Sequence, residues 1–439
     1  GGDGDNAFLD IARDALAVSR LAPTMLNLIE ERSMTWLYED LERPLISVLS
    51  RMEDIGVGVD VKELTRMRDH LVGEVQRLEA AIHGIAGREF NVNSTKQLRE
   101  VLFDELGLTP QKKTKTGYST DAASLEKIRD QHEVVGLLLE YREVEKLRST
   151  YGQGLLEVTD PDGRIRATFN QTVARTGRLS SEFPNLHNIP VRTPLGREFR
   201  KAFVPQSGYD FLVADYNQIE LRVIAHLAED PGLIEAFEEG QDIHNATAAS
   251  IFGVDLEEVS VEQRSRAKMV SYGLAYGMEA YGLGQRLGID TSEASEILDA
   301  YFAAFPAVRS FMDDVVKKTK EVGYTETIFG RRRPIPDLAA SNFRGRQAAE
   351  RQAMNAPIQG LAADIFKIAL VGIDRSLNEM EAQSRLVLQV HDEVILEVHP
   401  DEYQDVQQMT VAQMSGAADL RVPLEVNLAT GPTWAQAKA

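Results

Sequence analysis

The sequence of 439 residues has no cysteine and only two tryptophans. Without cysteine, the chain forms neither disulfide bonds nor the usual structural zinc sites, which fits a reducing compartment. No stretch approaches the roughly 18 consecutive apolar residues of a membrane span, and the N-terminus lacks the basic start and apolar block of a signal peptide. We therefore predict a folded cytoplasmic protein with no membrane partner.

Positive charge is also scarce, because the net charge is −20. Such a balance argues against a protein whose whole surface binds nucleic acid, although phosphate contacts need only local cationic patches. Two patches of this kind are Lys112, Lys113 and Lys115, and the later group Arg331, Arg332, Arg333, Arg344, Arg346 and Arg351. For either patch alone, an ordinary solvated surface is the alternative interpretation.

The first third of the chain shows helical periodicity. Leu45, Val48, Leu49 and Met52 share one helical face after Pro44, and Gly56 marks the end of that helix. A longer periodic run from Leu64 to Ile82 predicts a second helix. Ser94 and Gln97 have capping-box spacing and open a shorter helix through about Leu106. Residues 35–150 are therefore predicted to form a helical subdomain with a polar, basic tip.

Strand patterns come later. Phe211 to Ala214 is a short apolar run that stops at Asp215, and residues 385–398 predict two strands that meet around His391 and Asp392. Mostly helical sequence lies between them. This order predicts a multidomain α+β protein in which a helical lobe interrupts a sheet.

Two acids follow the predicted strands directly, Asp215 and Asp392. Hard cations such as Mg²⁺ prefer carboxylate oxygens, and a pair of ions about 3.5–4 Å apart can activate one oxygen while stabilising a departing one. The alternative is that each acid is simply a turn residue.

A helix beginning near Arg264 places two cations and two aromatic rings on one side. Residues four apart on a helix are neighbours, so Arg264, Lys268, Tyr272 and Tyr276 form a stripe. Arg and Lys can bind a triphosphate while a ring lies against a sugar or base. A surface helix whose tyrosines cover a core is the alternative.

These segments resemble those of the bacterial family A DNA polymerases. Residues 215–222 resemble motif A, residues 264–277 resemble motif B, and Val390-His-Asp-Glu393 resembles motif C, in the family's order. Residues 176–181, 184–190, 242–244 and 351–360 also resemble family segments, so the likeness spans roughly residues 35–439. The sequence departs from the common pattern at Asn217, where many relatives carry serine, and at Tyr272, where many bacterial members carry phenylalanine.

The resemblance implies a right-hand architecture with a helical thumb, an antiparallel-sheet palm and helical fingers. The implied segments are 1–34 as the remnant of an exonuclease-like domain, 35–160 as thumb, 161–220 as the first part of the palm, 221–340 as fingers and 341–439 as the second part of the palm. The chain would correspond to a Klenow-like fragment that lacks most of the exonuclease-like domain, and we expect neither proofreading nor 5′ nuclease activity from it.

The implied activity is primer extension along a DNA template by two-metal phosphoryl transfer, in replication and repair. Asp215, Asp392 and the backbone carbonyl of Tyr216 would hold two Mg²⁺ ions, for which Mn²⁺ substitutes, and Arg264 and Lys268 complete the catalytic set. The residues implied to bind the deoxynucleoside triphosphate are Arg264, Lys268, Tyr272, His244, Glu220, Gln218 and Tyr276. The residues implied to bind primer-template DNA are Arg178, Arg351, Asn355, Gln359, His391, Glu393, Lys112, Lys113 and Lys115. The resemblance also implies a nucleoid-associated monomer.

Two of these roles carry specificity. Glu220 would crowd a ribose 2′-hydroxyl and so favour deoxynucleotides. The Tyr272 hydroxyl could replace the polar contact of a missing 3′-hydroxyl, which predicts ready incorporation of dideoxynucleotides.

Two other classes of protein remain as alternatives at this point. A metal-dependent nuclease also uses paired carboxylates and basic patches, but it does not need the cationic, ring-bearing stripe on the helix from Arg264. A non-catalytic DNA-binding relative would keep the fold, and the presence of Asp215, Asp392, Arg264 and Lys268 argues against it.

Overall fold

A computed structural model describes residues 3–115, 117–189, 194–275 and 277–438, with side chains from residue 9 onward. The chain divides into two compact units. The first unit comprises Gly1–Asp54, Phe169–Ser180 and Leu212–Leu428, and the second comprises Ile55–Thr168, Ser181–Phe211 and Ala429–Ala439. The division into thumb, palm and fingers is a different partition and stays a prediction.

The described elements are mostly helices with small antiparallel sheets, which confirms the α+β class. The helices are α1 Asp3–Glu31, α2 Arg43–Ile55, α3 Val61–Ala86, α4 Thr95–Arg99, α5 Ala122–Glu126, α6 Glu133–Leu147, α7 Gly154–Glu157, α8 Pro194–Glu198, α9 Ile219–Ala228, α10 Pro231–Glu238, α11 Ile243–Phe252, α12 Val261–Ala275, α13 Ala280–Leu287, α14 Thr291–Ala304, α15 Pro306–Val322, α16 Phe343–Glu379 and α17 Tyr403–Ser415. The strands are β1 Val57–Gly58, β2 Lys113–Thr114, β3 Gly117–Tyr118, β4 Arg164–Ile165, β5 Thr168–Asn170, β6 Ser180–Glu182, β7 Asp210–Tyr216, β8 Tyr324–Glu326, β9 Arg332–Pro334, β10 Arg385–Val390, β11 Glu393–Val398 and β12 Val426–Gly431. Single π-helical turns cover Leu37–Glu42, Glu100–Glu105 and Arg148–Gln153.

A four-stranded sheet in the order β10-β11-β7-β12 lies mainly in the first unit. The hairpin of β10 and β11 is confirmed, with Val390 opposite Glu393 and a turn at His391 and Asp392. Every residue of β11 is buried, as expected for a strand covered on both faces. Strand β7 runs two residues farther than predicted, since it includes Asp215 and Tyr216.

Helix α16 is the core helix of the first unit and packs against α9, α15 and α17. It is the helix in the described part of the chain that is long and apolar enough to cross a membrane. Of its most apolar stretch of 18 residues, 83% is buried inside the fold. Core packing therefore accounts for its apolar character.

The second unit contains the predicted helix from Leu64 to Ile82, which lies within α3 and packs on α6. Asp60 caps α3 by accepting hydrogen bonds from the backbone of Lys62 and Glu63. Ser94 caps α4 as predicted, accepting from the Gln97 backbone N–H at 3.5 Å. The reciprocal half of the capping box is absent here, because the Gln97 side chain accepts from the Asn91 backbone N–H instead.

Candidate active site

The two acids of the predicted metal site come from neighbouring strands of one sheet. Asp215 lies in β7, and Asp392 lies in the turn that leads into β11, the strand beside β7. The backbone N–H of Tyr216 donates to the carbonyl oxygen of Asp392 at 3.4 Å. His391 has φ +54°, a left-handed conformation that makes the two-residue turn possible. Segments far apart in the chain therefore meet at their acid-bearing residues.

Arg178 connects two of the predicted site residues. Its Nη2 donates to Glu220 Oε1 and lies 4.0 Å from Asp392 Oδ1. The Glu220 side chain is only 6% exposed, so this cation neutralises a carboxylate that is almost removed from water. Contact between Arg178 and these acids was not part of the sequence prediction, which assigned Arg178 to DNA.

The turn after Asp215 is held by a residue that sequence reasoning missed. Arg222 in α9 donates to the Asn217 carbonyl at 2.8 Å and to the Pro423 carbonyl at 2.5 Å, and it forms an ion pair with Glu425 at 2.6 Å. Asn217 also contacts Glu425, because its backbone N–H donates to the Glu425 backbone carbonyl at 2.9 Å. Burial lowers the pKa of the Arg222 guanidinium, and Glu425 opposes that effect. The signal in the sequence was a single cation inside the apolar run of α9.

Helix α12 carries the predicted cationic stripe and packs against α9, the helix that contains Glu220. It begins at Val261, three residues before the predicted start. Arg264 donates to Asp242 Oδ2 from Nε at 3.0 Å and from Nη2 at 2.7 Å. The Tyr272 ring lies 5.7 Å from the His244 ring, centroid to centroid. Tyr276, also predicted to bind nucleotide, lies outside the described residues.

His244 is held uncharged beside these cations. Its residue is 2% exposed, and its Nδ1 finds no hydrogen-bond partner among the described residues. Burial lowers the pKa of His244 to about 4, and the charges of Lys268 and Arg264 act in the same direction against Asp242. A neutral imidazole can donate a hydrogen bond to a phosphate oxygen from one ring nitrogen while the other accepts.

The lowered pKa of His244 predicts a pH-dependent stability. The unfolded chain binds a proton at this side chain below its ordinary pKa of 6.5, whereas the folded chain resists protonation down to about 4. Stability is therefore lost as the pH falls through this window, by about 2 kcal/mol between about pH 7 and about pH 5. Thermal unfolding of His244→Gln should decline less over this range. His70→Gln, which alters an exposed histidine, is the control, and an identical decline in both variants would contradict the assignment.

Gly277, at the end of motif B, allows helix α16 to pack closely against it. Gly277 has φ +69°, and a Cβ there would lie 2.3 Å from Asn355 Nδ2. Asn355 is buried, and its Oδ1 finds no partner in the part of the chain that the structure describes. One turn earlier on α16, Arg351 pairs with Glu279 at 2.8 Å, and one turn later Gln359 is half-buried.

The basic patches predicted from the sequence divide into two kinds. Lys112, Lys113 and Lys115 are exposed near the β2–β3 hairpin of the second unit, and their contact with DNA stays a prediction. The prediction is wrong for Arg331, which is 17% exposed and forms ion pairs with Glu42 and Asp364. Partner acids that lie far away in the sequence made this arginine a buried residue.

The donor set fits hard divalent cations. Asp215, Asp392 and the Tyr216 carbonyl offer only oxygen, and Mg²⁺ is commonly bound by one or two carboxylates together with water and substrate phosphates. Within the described ranges, no group of three or more His, Cys, Asp or Glu side chains could hold a metal ion.

Together these features place two carboxylates, Asp215 and Asp392, and the cation-bearing helix α12 in one compact unit. The family model described as DNA polymerase family A matches residues 61–436. The chain is 48% identical to DNA polymerase I of Geobacillus stearothermophilus over 98% of this chain and 49% of that protein. It is also 48% identical to DNA polymerase I of Mycobacterium tuberculosis H37Rv over 96% of this chain and 47% of that one.

A solved structure is also similar, the POL domain of Pol1 from M. smegmatis in complex with DNA primer-template and dNTP. The TM-score is 0.93 at 44% identity, over 97% of this chain and 75% of that one. The chain belongs to DNA polymerase family A. It spans about half the length of the curated relatives it matches.

Proposed function

We propose that this chain is a DNA-templated DNA polymerase that adds deoxynucleotides to a primer 3′-hydroxyl and releases pyrophosphate. The observation that carries the proposal is the meeting of the Asp215 strand with the Asp392 turn, in a chain of DNA polymerase family A. The similar POL domain is complexed with DNA primer-template and dNTP, which supports the same partners here.

The acids and the cationic helix would divide the chemistry. Asp215 and Asp392, with the Tyr216 carbonyl, would hold two Mg²⁺ ions, which when bound lower the pKa of the attacking hydroxyl and neutralise the triphosphate. Arg264, Lys268 and neutral His244 would bind phosphate oxygens, and Lys268 would give a proton to the leaving pyrophosphate. Positioning and charge neutralisation supply most of the catalysis in such a transfer.

Binding of the triphosphate would require a local exchange of partners. Arg264 is engaged by Asp242 at 2.7 Å. This ion pair is partly exposed, and such pairs contribute little stability, so a triphosphate can compete for the guanidinium.

Primer extension tests the proposal against a nuclease. A labelled primer-template is incubated with Mg²⁺, once with and once without the four deoxynucleotides. We expect the primer to lengthen only when nucleotides are present and to stay intact without them. Shortening of the primer in the absence of nucleotides would support a nuclease, and an unchanged primer in both reactions would support a non-catalytic DNA-binding protein.

Glu220 predicts the choice of sugar. Because its buried carboxylate would fill the space of a 2′-hydroxyl, Glu220→Ala should lower the preference for deoxynucleotides over ribonucleotides by about 10–200-fold. Single-nucleotide incorporation with each nucleotide gives the ratio of kcat/KM values. Glu220→Gln keeps the volume and should keep most of the preference. If the glutamine variant loses as much preference as the alanine variant, steric exclusion is the wrong explanation.

Tyr272 predicts the response to chain terminators. Its hydroxyl would replace the polar contact of the missing 3′-hydroxyl, so Tyr272→Phe should increase discrimination against dideoxynucleotides by about 10–100-fold. The measurement is the ratio of incorporation of a deoxynucleotide to that of its dideoxy analogue. Tyr281→Phe, at an exposed tyrosine of α13, is the control. Strong discrimination in the unaltered chain that Tyr272→Phe leaves the same would refute the role.

A further inference from the structure

Four charged side chains, two of each sign, meet in the first unit, where two of them are fully buried and two are mostly buried. Arg331 Nε donates to Asp364 Oδ1 at 2.5 Å, and its Nη2 donates to Glu42. Lys367 Nζ donates to the same oxygen of Glu42 at 2.8 Å. The side chains of Asp364 and Lys367 are 0% and 1% exposed. We call these four residues the buried ionic cluster, and the proposed chemistry uses none of them.

Stability alone does not explain a cluster of this kind. Removing charges from water is costly, and well-packed apolar side chains often stabilise a core as well as buried ion pairs do. Buried ion pairs can instead fix one arrangement of the chain, because any other arrangement leaves an uncompensated charge. The buried ionic cluster should therefore act on the segment of the chain that contacts it.

That segment joins β5 to β6, and it touches the buried ionic cluster near both of its ends. Gln171 Nε2 donates to the Glu42 carbonyl oxygen at 2.7 Å. Gly177 has φ +84°, and a Cβ there would lie 2.8 Å from Arg331 Cδ, so the arginine stem covers this glycine directly. Thr327 secures the arginine, since its hydroxyl donates to Asp364 at 2.7 Å and accepts from the Arg331 backbone N–H at 3.2 Å.

The next residue after Gly177 is Arg178, which reaches Glu220 and Asp392. Residues 171–177 form neither helix nor strand. The backbone bond from the Gly177 N–H to the Ala174 carbonyl, at 3.0 Å, closes only a local turn. The pairing of β5 with β6 holds the two ends of the segment, and side-chain contacts with the buried ionic cluster help to fix where this turn, and with it Arg178, lies.

We propose that the buried ionic cluster is a positioning device that places Arg178 between Glu220 and Asp392. In this way it controls the geometry of the site formed by Asp215 and Asp392. This inference rests on the proposed polymerase function. Arg331 and its partners are positioning residues, because they reach the reacting groups only through Arg178.

Arg331→Lys is the main test. Lysine keeps the charge but cannot bond Asp364 and Glu42 with a planar fork while covering Gly177. We expect kcat for primer extension to fall about 10–100-fold, as for other residues that orient a metal site through an intermediate group. KM for the deoxynucleotide should change far less, because the triphosphate-binding face of α12 is untouched. Arg385→Lys is the matched control, since Arg385 pairs with the fully buried Glu397 at 2.8 Å elsewhere in the first unit.

A double-mutant cycle separates positioning from a general structural role. If Arg331 acts through Arg178, then Arg331→Lys should cost little further activity in a chain that already carries Arg178→Ala. Losses of kcat that multiply independently would overturn the proposal.

Gln171→Met covers the case in which Arg331→Lys fails to fold. It leaves all four charges in place and removes the bonds of Gln171 to the Glu42 carbonyl and to the Glu42 carboxylate. Thermal unfolding shows that the variant is folded, its kcat should fall, and the loss should again vanish with Arg178→Ala. Full kcat in Gln171→Met, or in a folded Arg331→Lys chain, would overturn this inference alone. An unaltered chain that extends no primer would contradict the proposed function instead.

Discussion

Replacing Asp392 with asparagine is expected to lower the rate of primer extension by about a thousandfold or more. Asparagine has nearly the same shape, but it removes one of the two carboxylates that the structure brings to neighbouring strands. Loss of metal-derived charge stabilisation costs several kcal/mol, and each 1.4 kcal/mol is about tenfold in rate. Single-turnover incorporation with saturating Mg²⁺ and deoxynucleotide is the measurement. Asp215→Asn should give a loss of the same order.

The control for this experiment is Asp210→Asn. Asp210 is the exposed first residue of the strand that carries Asp215, so it tests the same chemical change at a position without a proposed role. Thermal unfolding of all three variants shows whether each is folded. If Asp392→Asn extends primers as fast as the unaltered chain, there is no metal site at this pair and the polymerase proposal fails.

The second large effect is expected at Lys268. Lys268→Gln removes a cation from the face of α12 that carries Arg264 and Tyr272, and with it the proposed proton donor to pyrophosphate. Removing one group that stabilises charge in a transition state typically costs about 10²–10³-fold in kcat. We expect a loss in this range, measured as the maximal incorporation rate at saturating deoxynucleotide, with a smaller change in the affinity for primer-template.

Arg266 provides a control on the same helix. It lies two residues before Lys268, about 200° around the helix, and pairs with Glu262 at 2.8 Å and Glu293 at 3.2 Å. Arg266→Gln therefore removes a cation from α12 without touching the proposed triphosphate face. Equal losses in Lys268→Gln and Arg266→Gln would mean that the helix needs positive charge in general, and the assignment of Lys268 would be wrong.

Local patterns explain why much of the fold could be predicted. The helical periodicity around Leu45 and Leu64 is repeated by α2 and α3, and the apolar hairpin at residues 385–398 appears as β10 and β11. One face of α2 and of α3 is buried, and nearly every residue of the two hairpin strands is buried, so the apolar pattern of the sequence itself records the burial. The ordered motifs also identified the family, because several unrelated segments had to match at once.

Contacts between distant segments could not be predicted in the same way. Arg222 reaches Glu425 and Arg178 reaches Glu220, and neither pair has a periodic signature. Arg331 is a residue whose environment was predicted wrongly for this reason. Its neighbours suggested a surface patch, but the opposite charges that bury it come from Glu42 and Asp364, in other parts of the chain.

The bond from the Tyr216 hydroxyl to the Met414 carbonyl, at 2.7 Å, joins residues 198 positions apart, and it has a consequence for biosynthesis. Contacts of such separation make folding slow, because a long loop must close before they can form. A ribosome must add about two hundred residues after Tyr216 before Met414, its partner, is synthesised. Nascent chains should thus stay inactive until the segment that carries Asp392 and Met414 has emerged, and chaperones would have to shield their exposed strand edges until then.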